Sequence, residues 1–183
     1  MILVWGAVLG VLVGWLLGGK LRHLEHLSLR GGWLVVLALV IQILIFPLGG
    51  DKPLIPWGTA PLHFLSYACL AGFLILNLRH WPLALLAAGL IANLLVISLN
   101  SGYMPADADA LRRAGMPQLA TQLRQEQRVG NVVLMGKDTH LNWLGDWLYL
   151  PGWIPLATAF SPGDLAIALG LAAFFPYAMR KHR

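Results

Sequence analysis

Charged side chains are scarce, at 11% of 183 residues against roughly 25% in an ordinary soluble domain. So thin a polar coat cannot dress a globule in water, and a mean hydropathy of +0.69 points the same way. Cysteine is nearly absent too. Cys69 stands alone, which excludes an intrachain disulfide and any cysteine-based metal box. Basic residues outnumber acidic ones by 13 to 8. In so apolar a chain that excess reads as membrane sidedness, and nucleic acid is not an expected partner.

What the chain has in abundance is long apolar runs. Five stand out, over residues 2–19, 31–49, 62–78, 82–99 and 162–179. Each is near the length of about 20 residues that a helix needs to cross some 30 Å of hydrocarbon. Backbone polar groups in lipid must be satisfied within the segment, so each run is read as a helix. The first run lacks a preceding basic residue and a small-residue cleavage site, and is expected to be retained rather than removed as a leader.

Five crossings sort the basic residues. Lys20, Arg22, Arg30, Arg79, Arg180, Lys181 and Arg183 fall on one side, and only Lys52 in the short loop opposite. The first side is therefore expected to be cytoplasmic, with the N-terminus outside and the C-terminus inside. Trp33, Trp57 and Trp81 sit at the expected interfaces.

Within the first run Gly6, Gly10, Gly14 and Gly18 recur at spacing four, which lines one helix face with small residues. That row suits close packing inside the bundle or, alternatively, a seam with another copy of the chain. Of the polar residues of the spans, Gln42 and Asn93 fall near mid-span and His63, Ser66, Asn100 and Asp164 in the outer half, and His63, Asn93 and Asn100 form a candidate outward cluster. Interhelical hydrogen bonding is the competing use of such residues. The sequence HLEH, residues 23–26, offers two histidines around Glu25 but no third ligand, so neither a metal nor a cofactor is expected.

Between residues 100 and 161 lies the longest non-spanning piece. Asp107 or Asp109 can cap a short helix through Ala114, MPQLATQLRQEQR reads as helix, and GNVVLMG as extended chain. Residues 142–160 combine three tryptophans with prolines and glycines. They are too broken to cross a bilayer, and their aromatic rings favour the headgroup level. A segment lying on the membrane surface, or re-entering it, is expected there.

The last run opens FSPGD. Ser161, Pro162 and Asp164 occupy the cap, first and third positions of a capping box, so the acid has a structural use at the positive end of a helix. A chemical use would need a second acid, and Asp146 is the candidate: two neighbouring carboxyls can share a proton and activate water.

The stretches LRHLEHLSLRGGW, LNSGYMPAD, DTHLNWLGDWLYLPG and FSPGDLAIALG, with the glycine-rich first helix, resemble an uncharacterised bacterial multi-pass family, domain of unknown function 5317. The resemblance implies a helical membrane protein and supplies no activity. The final helix, from FSPGD to RKHR, is also faintly similar to lipoprotein signal peptidase, a membrane aspartic protease. That likeness would make Asp164 the match of its second catalytic aspartate, although Ser161 replaces an Asn and the first Asn-x-x-Asp-Arg motif is absent.

The resulting expectation is an all-α, polytopic membrane protein with one domain over residues 1–183, in the bacterial cytoplasmic membrane. Its expected partners are membrane lipids, then another membrane protein or a second copy. A non-catalytic structural or interaction protein is the first expectation for function. A membrane-embedded aspartic hydrolase using Asp146 and Asp164 is the alternative.

Overall fold

The computed structural model describes residues 2–45, 54–55 and 59–180, apart from the side chains of His26, Thr59 and Ala60. Five apolar helices form the body: α1 (Ile2–Leu16), α2 (Gly32–Ile45), α3 (Thr59–Leu76), α4 (Trp81–Leu99) and α7 (Pro162–Met179). Their neighbours run in the order α1, α7, α4, α3, α2, with the heaviest packing of α7 on α1 and α4. All five expected runs are helical. Two of them, α4 and α7, are long and apolar enough to cross a membrane, at about 28 and 27 Å for a rise of 1.5 Å per residue.

The other three are shorter apolar helices. In α1 the cause is local: the helix stops before Gly18, whose φ of +77° takes the left-handed turn that glycine tolerates. For α2, the expected final turn over residues 46–49 lies outside the described residues, as do Lys52, Trp57, Lys181 and Arg183.

None of the five has a polar face. Apolar side chains point outward along their whole length, including Leu16 (86% exposed), Ile75, Ile91, Leu95 and Leu169. In α4 and α7 fewer than half of the residues are buried. A core helix of a soluble protein, by contrast, is wrapped by its neighbours.

Backbone contacts fix the two ends of the body. At one end Lys20 N donates to Met179 O (3.0 Å), and His23 Nδ1 lies 2.8 Å from the same carbonyl, so the exit of α1 meets the exit of α7. Asn77 closes this end from the other side. Its Oδ1 accepts from Arg30 N (2.8 Å), and its Nδ2 donates to Arg30 O and Phe73 O (both 2.7 Å). Arg79 donates to the Ser28 carbonyl and hydroxyl. Lys20, Arg22, Arg30, Arg79 and Arg180 thus gather at one end.

The opposite end carries a lobe built from residues 100–161. Asp107 accepts from Asp109 N (2.9 Å) and caps α5 (Ala108–Arg113); α6 (Pro117–Glu126) follows with proline at its start. The expectation of an all-α chain needs correction here. β1 (Met104–Ala106) pairs in parallel with β3 (Val132–Leu134), which pairs antiparallel with β2 (Arg128–Val129). β4 (Leu148–Tyr149) pairs with β5 (Ala159–Phe160). These segments are too short and too interrupted by Pro105, Gly130 and Gly145 to satisfy their backbones along a helix, so they do so across strands. Ala106, Ala110, Leu111, Ala120, Leu123 and Ala159 fill the lobe's small core.

Asn77 is fully buried and satisfies two backbone groups of a distant segment. Asn77→Ala is expected to lower unfolding free energy by about 1–3 kcal/mol, the cost of leaving buried groups unpaired. Thermal denaturation of the purified variant beside the parent checks this; an unchanged midpoint would refute it.

Candidate functional site

α4 and α7 approach one another backbone to backbone. A methyl built on Gly89 would stand 2.9 Å from Ile167 N, and one on Gly163 would stand 2.8 Å from Gly89 O. Bare glycine backbones therefore let the start of α7 press against α4. Gly6, Gly10 and Gly14 do the same for α1: a methyl on Gly10 would lie 2.9 Å from Leu171 O, and Gly14 faces Met179. Gly18 meets nothing within 4 Å and forms the turn instead.

That close packing brings polar groups together. Ser161 Oγ accepts from Asp164 N (2.9 Å), and Asp164 Oδ2 accepts from Ser161 N (3.3 Å), completing the capping box. Asn93 then joins both partners. Its Nδ2 donates to Asp164 Oδ1 (2.7 Å), and its Oδ1 accepts from Ser161 Oγ (2.8 Å). Helix start and neighbouring helix form one closed network, in which Ser161 is wholly buried.

Asp164 and Asn93 also line the polar end of a groove of about 750 Å³, framed by all five body helices. His63 and Tyr67 of α3 and Gln42 of α2 face the same end, with Asn131 of the β2–β3 turn above. His63 and Tyr67 pack edge to face with ring centres 5.0 Å apart. Gln42 Nε2 donates to Ser66 Oγ (3.3 Å), which donates to His63 O (2.7 Å). Away from this end the lining is aliphatic and aromatic, through Leu90, Ile167, Leu86, Leu171, Phe73 and Phe174.

Asp146 reaches the same neighbourhood from the lobe. It extends the β1 side of the small sheet: Asp146 N donates to Pro105 O (2.8 Å), and its carbonyl accepts from Asp107 N (3.0 Å). Its Oδ1 is buried without a hydrogen-bond partner among the described residues. Burial, and then the charge of Asp164, push the Asp146 carboxyl up to about 8. Asp146 thus lies close enough to Asp164 to feel its charge, although no hydrogen bond joins them among the described residues.

The expected outward trio is not brought together as one group. His63 and Asn93 face the groove, whereas Asn100 fastens the lobe. Asn100 Nδ2 donates to Val96 O and His140 O, and its Oδ1 accepts from His140 N (2.8 Å). It borders a separate hollow of about 330 Å³. Tyr67 and Asn131 are site residues that the sequence reading missed, and Ser161 was read as the helix cap without its bond to Asn93. Tyr67 carried a usable signal, since it lies four residues after His63 on one helix face. Asn131 carried none, because only tertiary folding sets its turn above the groove.

These elements define a predominantly helical class of protein, with apolar helix faces turned outward and a groove headed by one acid and several amides. Within it, the chain belongs to a family of unknown function (DUF5317), whose model matches residues 26–176. The glycine row of α1 precedes the matched stretch. Searches of curated proteins and of solved structures found no match.

The Asp146 acidity has a measurable consequence. Its folded value of about 8 lies above the ordinary 3.8, so the folded state holds this proton more tightly. The corresponding stability is fully present below pH 3.8 and is lost as pH rises through 8. Chemical denaturation between pH 5 and 9 should show this decline in the parent and a flatter profile in Asp146→Asn; equal slopes would contradict it.

Proposed function

We propose that the protein is a multi-pass membrane protein of the bacterial cytoplasmic membrane that binds a membrane lipid in its groove. In this reading α1, α2, α3, α4 and α7 all cross the bilayer, the lobe lies outside and the C-terminus is cytoplasmic. The outward apolar faces of all five helices support the crossings, since a contiguous exposed apolar surface of that extent needs lipid or another protein against it. The gathering of Arg30, Arg79 and Arg180 at the end away from the lobe supports the orientation. Trp143, Trp147 and Trp153, the last 83% exposed, suit a lobe resting at headgroup level.

The observation that carries lipid binding is the groove itself. Its aliphatic length fits a hydrocarbon chain, and its amides and acid at one end fit a polar head. A non-catalytic binding role needs nothing further.

A second reading, aspartic hydrolysis, is favoured by one observation: the buried, unpartnered Asp146 oxygen beside Asp164. In that chemistry a carboxylate takes a proton from water as its oxygen attacks an ester or amide carbonyl. The protonated carboxyl then gives its proton to the leaving oxygen or nitrogen as the bond breaks.

Four measurements test these readings. A reporter fused near Gln118 should be active only outside the cytoplasm; cytoplasmic activity would overturn the orientation. Val36 lines the groove yet is 62% exposed, so Val36→Trp should fill the groove while preserving the fold. At least fivefold less monododecylglycerol should then be retained by the delipidated protein, and unchanged retention would remove the lipid reading. Under hydrolysis, Asp146→Asn and Asp164→Asn should each abolish a cellular phenotype of the intact gene at normal folded yield. Under binding alone, Asp164→Ala should chiefly lower stability, by about 0.5–2 kcal/mol as for other lost caps.

A further inference from the structure

The head of the groove holds neutral polar groups with nothing bonded to them. Among the described residues no hydrogen bond reaches the Tyr67 hydroxyl, the Asn131 side-chain amide or Gln42 Oε1, and all three residues line the groove. Tyr67 and Val132, the neighbour of Asn131, pack on one cluster with Val96 and Met104, which sets the Asn131 turn at the Tyr67 end. Asp164 differs, because its charge is already answered. Asn93 Nδ2 donates to one of its oxygens (2.7 Å) and Ser161 N to the other (3.3 Å), at the positive end of α7. No lysine or arginine is among the described residues lining the groove, and His63 is buried with its ring against Tyr67.

We propose that the groove selects amphiphiles with an uncharged glycerol head, seated at the Tyr67 and Asn131 end with the chain running towards Phe174. The proposal rests on the lipid-binding reading above and adds the chemistry of the head. A hydroxyl both donates and accepts, as do the tyrosine hydroxyl and the asparagine amide, so each can pair with the others in either sense. A phosphate brings only acceptors and a negative charge, which would be buried beside a carboxylate with no lining lysine or arginine to offset it. An ammonium brings only donors, so the Tyr67 and Asn131 protons find no acceptor in it. The two free hydroxyls of a monoacylglycerol match the two wholly unbonded side-chain groups, those of Tyr67 and Asn131. A hexose head would bring further hydroxyls, each costly to bury unpaired. The distance also fits: ten residues separate Asp164 from Phe174 along α7, a rise of about 15 Å.

The test uses the full-length protein, delipidated in a polyoxyethylene detergent, with native mass spectrometry as the readout. Monododecylglycerol, dodecyl glucoside, dodecylammonium and dodecyl phosphate are offered separately at equal concentrations. The expected result is at least tenfold greater occupancy by monododecylglycerol than by either charged probe, and more than by the glucoside. Tyr67→Phe keeps the ring against His63 and removes only an unbonded hydroxyl. Asn131→Ala keeps the backbone carbonyl that accepts from Met104 N. Together they should lower monododecylglycerol occupancy at least fivefold and leave the charged probes unchanged. Each single variant is read as well, with its fold checked by thermal denaturation.

Equal occupancy by the four probes, or a preference for the glucoside or for a charged probe, overturns the head-group assignment and leaves the lipid groove standing. So does a glycerol preference that persists in the Tyr67→Phe, Asn131→Ala double variant. Failure of every probe to bind, or binding that survives Val36→Trp, overturns the lipid reading itself.

Discussion

The structure depends on the backbone-to-backbone approach of α4 and α7, which only glycine permits. Gly89 and Gly163 remove the side chains that would hold the two helices apart. Once they meet, Asn93 can bond both Ser161 and Asp164, and the start of α7 is fixed in direction as well as in place. The packing of α1 on the other flank of α7 uses the same device, through Gly6, Gly10 and Gly14. Thus α7 is the central post, and α2 and α3 stand apart from it with a groove between.

This arrangement resolves what an acid is doing at the mouth of an apolar helix. The capping box alone accounts for Asp164 as a helix starter. It leaves Asp164 Oδ1 directed to α4, however, and the carboxyl on the groove wall. A structural acid and a groove-lining acid are one residue. The same double use appears at Asn93, which ties two helices and lines the groove.

How much of this was legible follows from the range of each interaction. Apolar run length located all five body helices, because a helix satisfies its backbone locally. The S-P-G-D signature located the start of α7 to the residue, and the cap of α5 was narrowed to Asp107 or Asp109, of which Asp107 takes it, since both rest on contacts within three residues. The strands of the lobe were mostly illegible: β1 and β3 are three residues each and pair across a gap of 25 residues or more. Gly6 to Gly14 could be seen as a face but not assigned a partner. That the charge of Asp164 reaches Asp146 was equally hidden, since the lobe's sheet places Asp146 rather than any spacing along the chain. Asn100 shows the opposite failure: its position beside Asn93 on one helix suggested a shared site, yet its amide is consumed by the His140 backbone.

Asp146 is mounted on the lobe's backbone, whereas Asp164 is mounted on the helical body. The separation of the two acids is therefore a gauge of how the lobe is seated. Tilting the lobe would weaken the repulsion and alter the desolvation that together make Asp146 hold its proton. By linkage, the protonation of Asp146 and the seating of the lobe bias one another to the same extent.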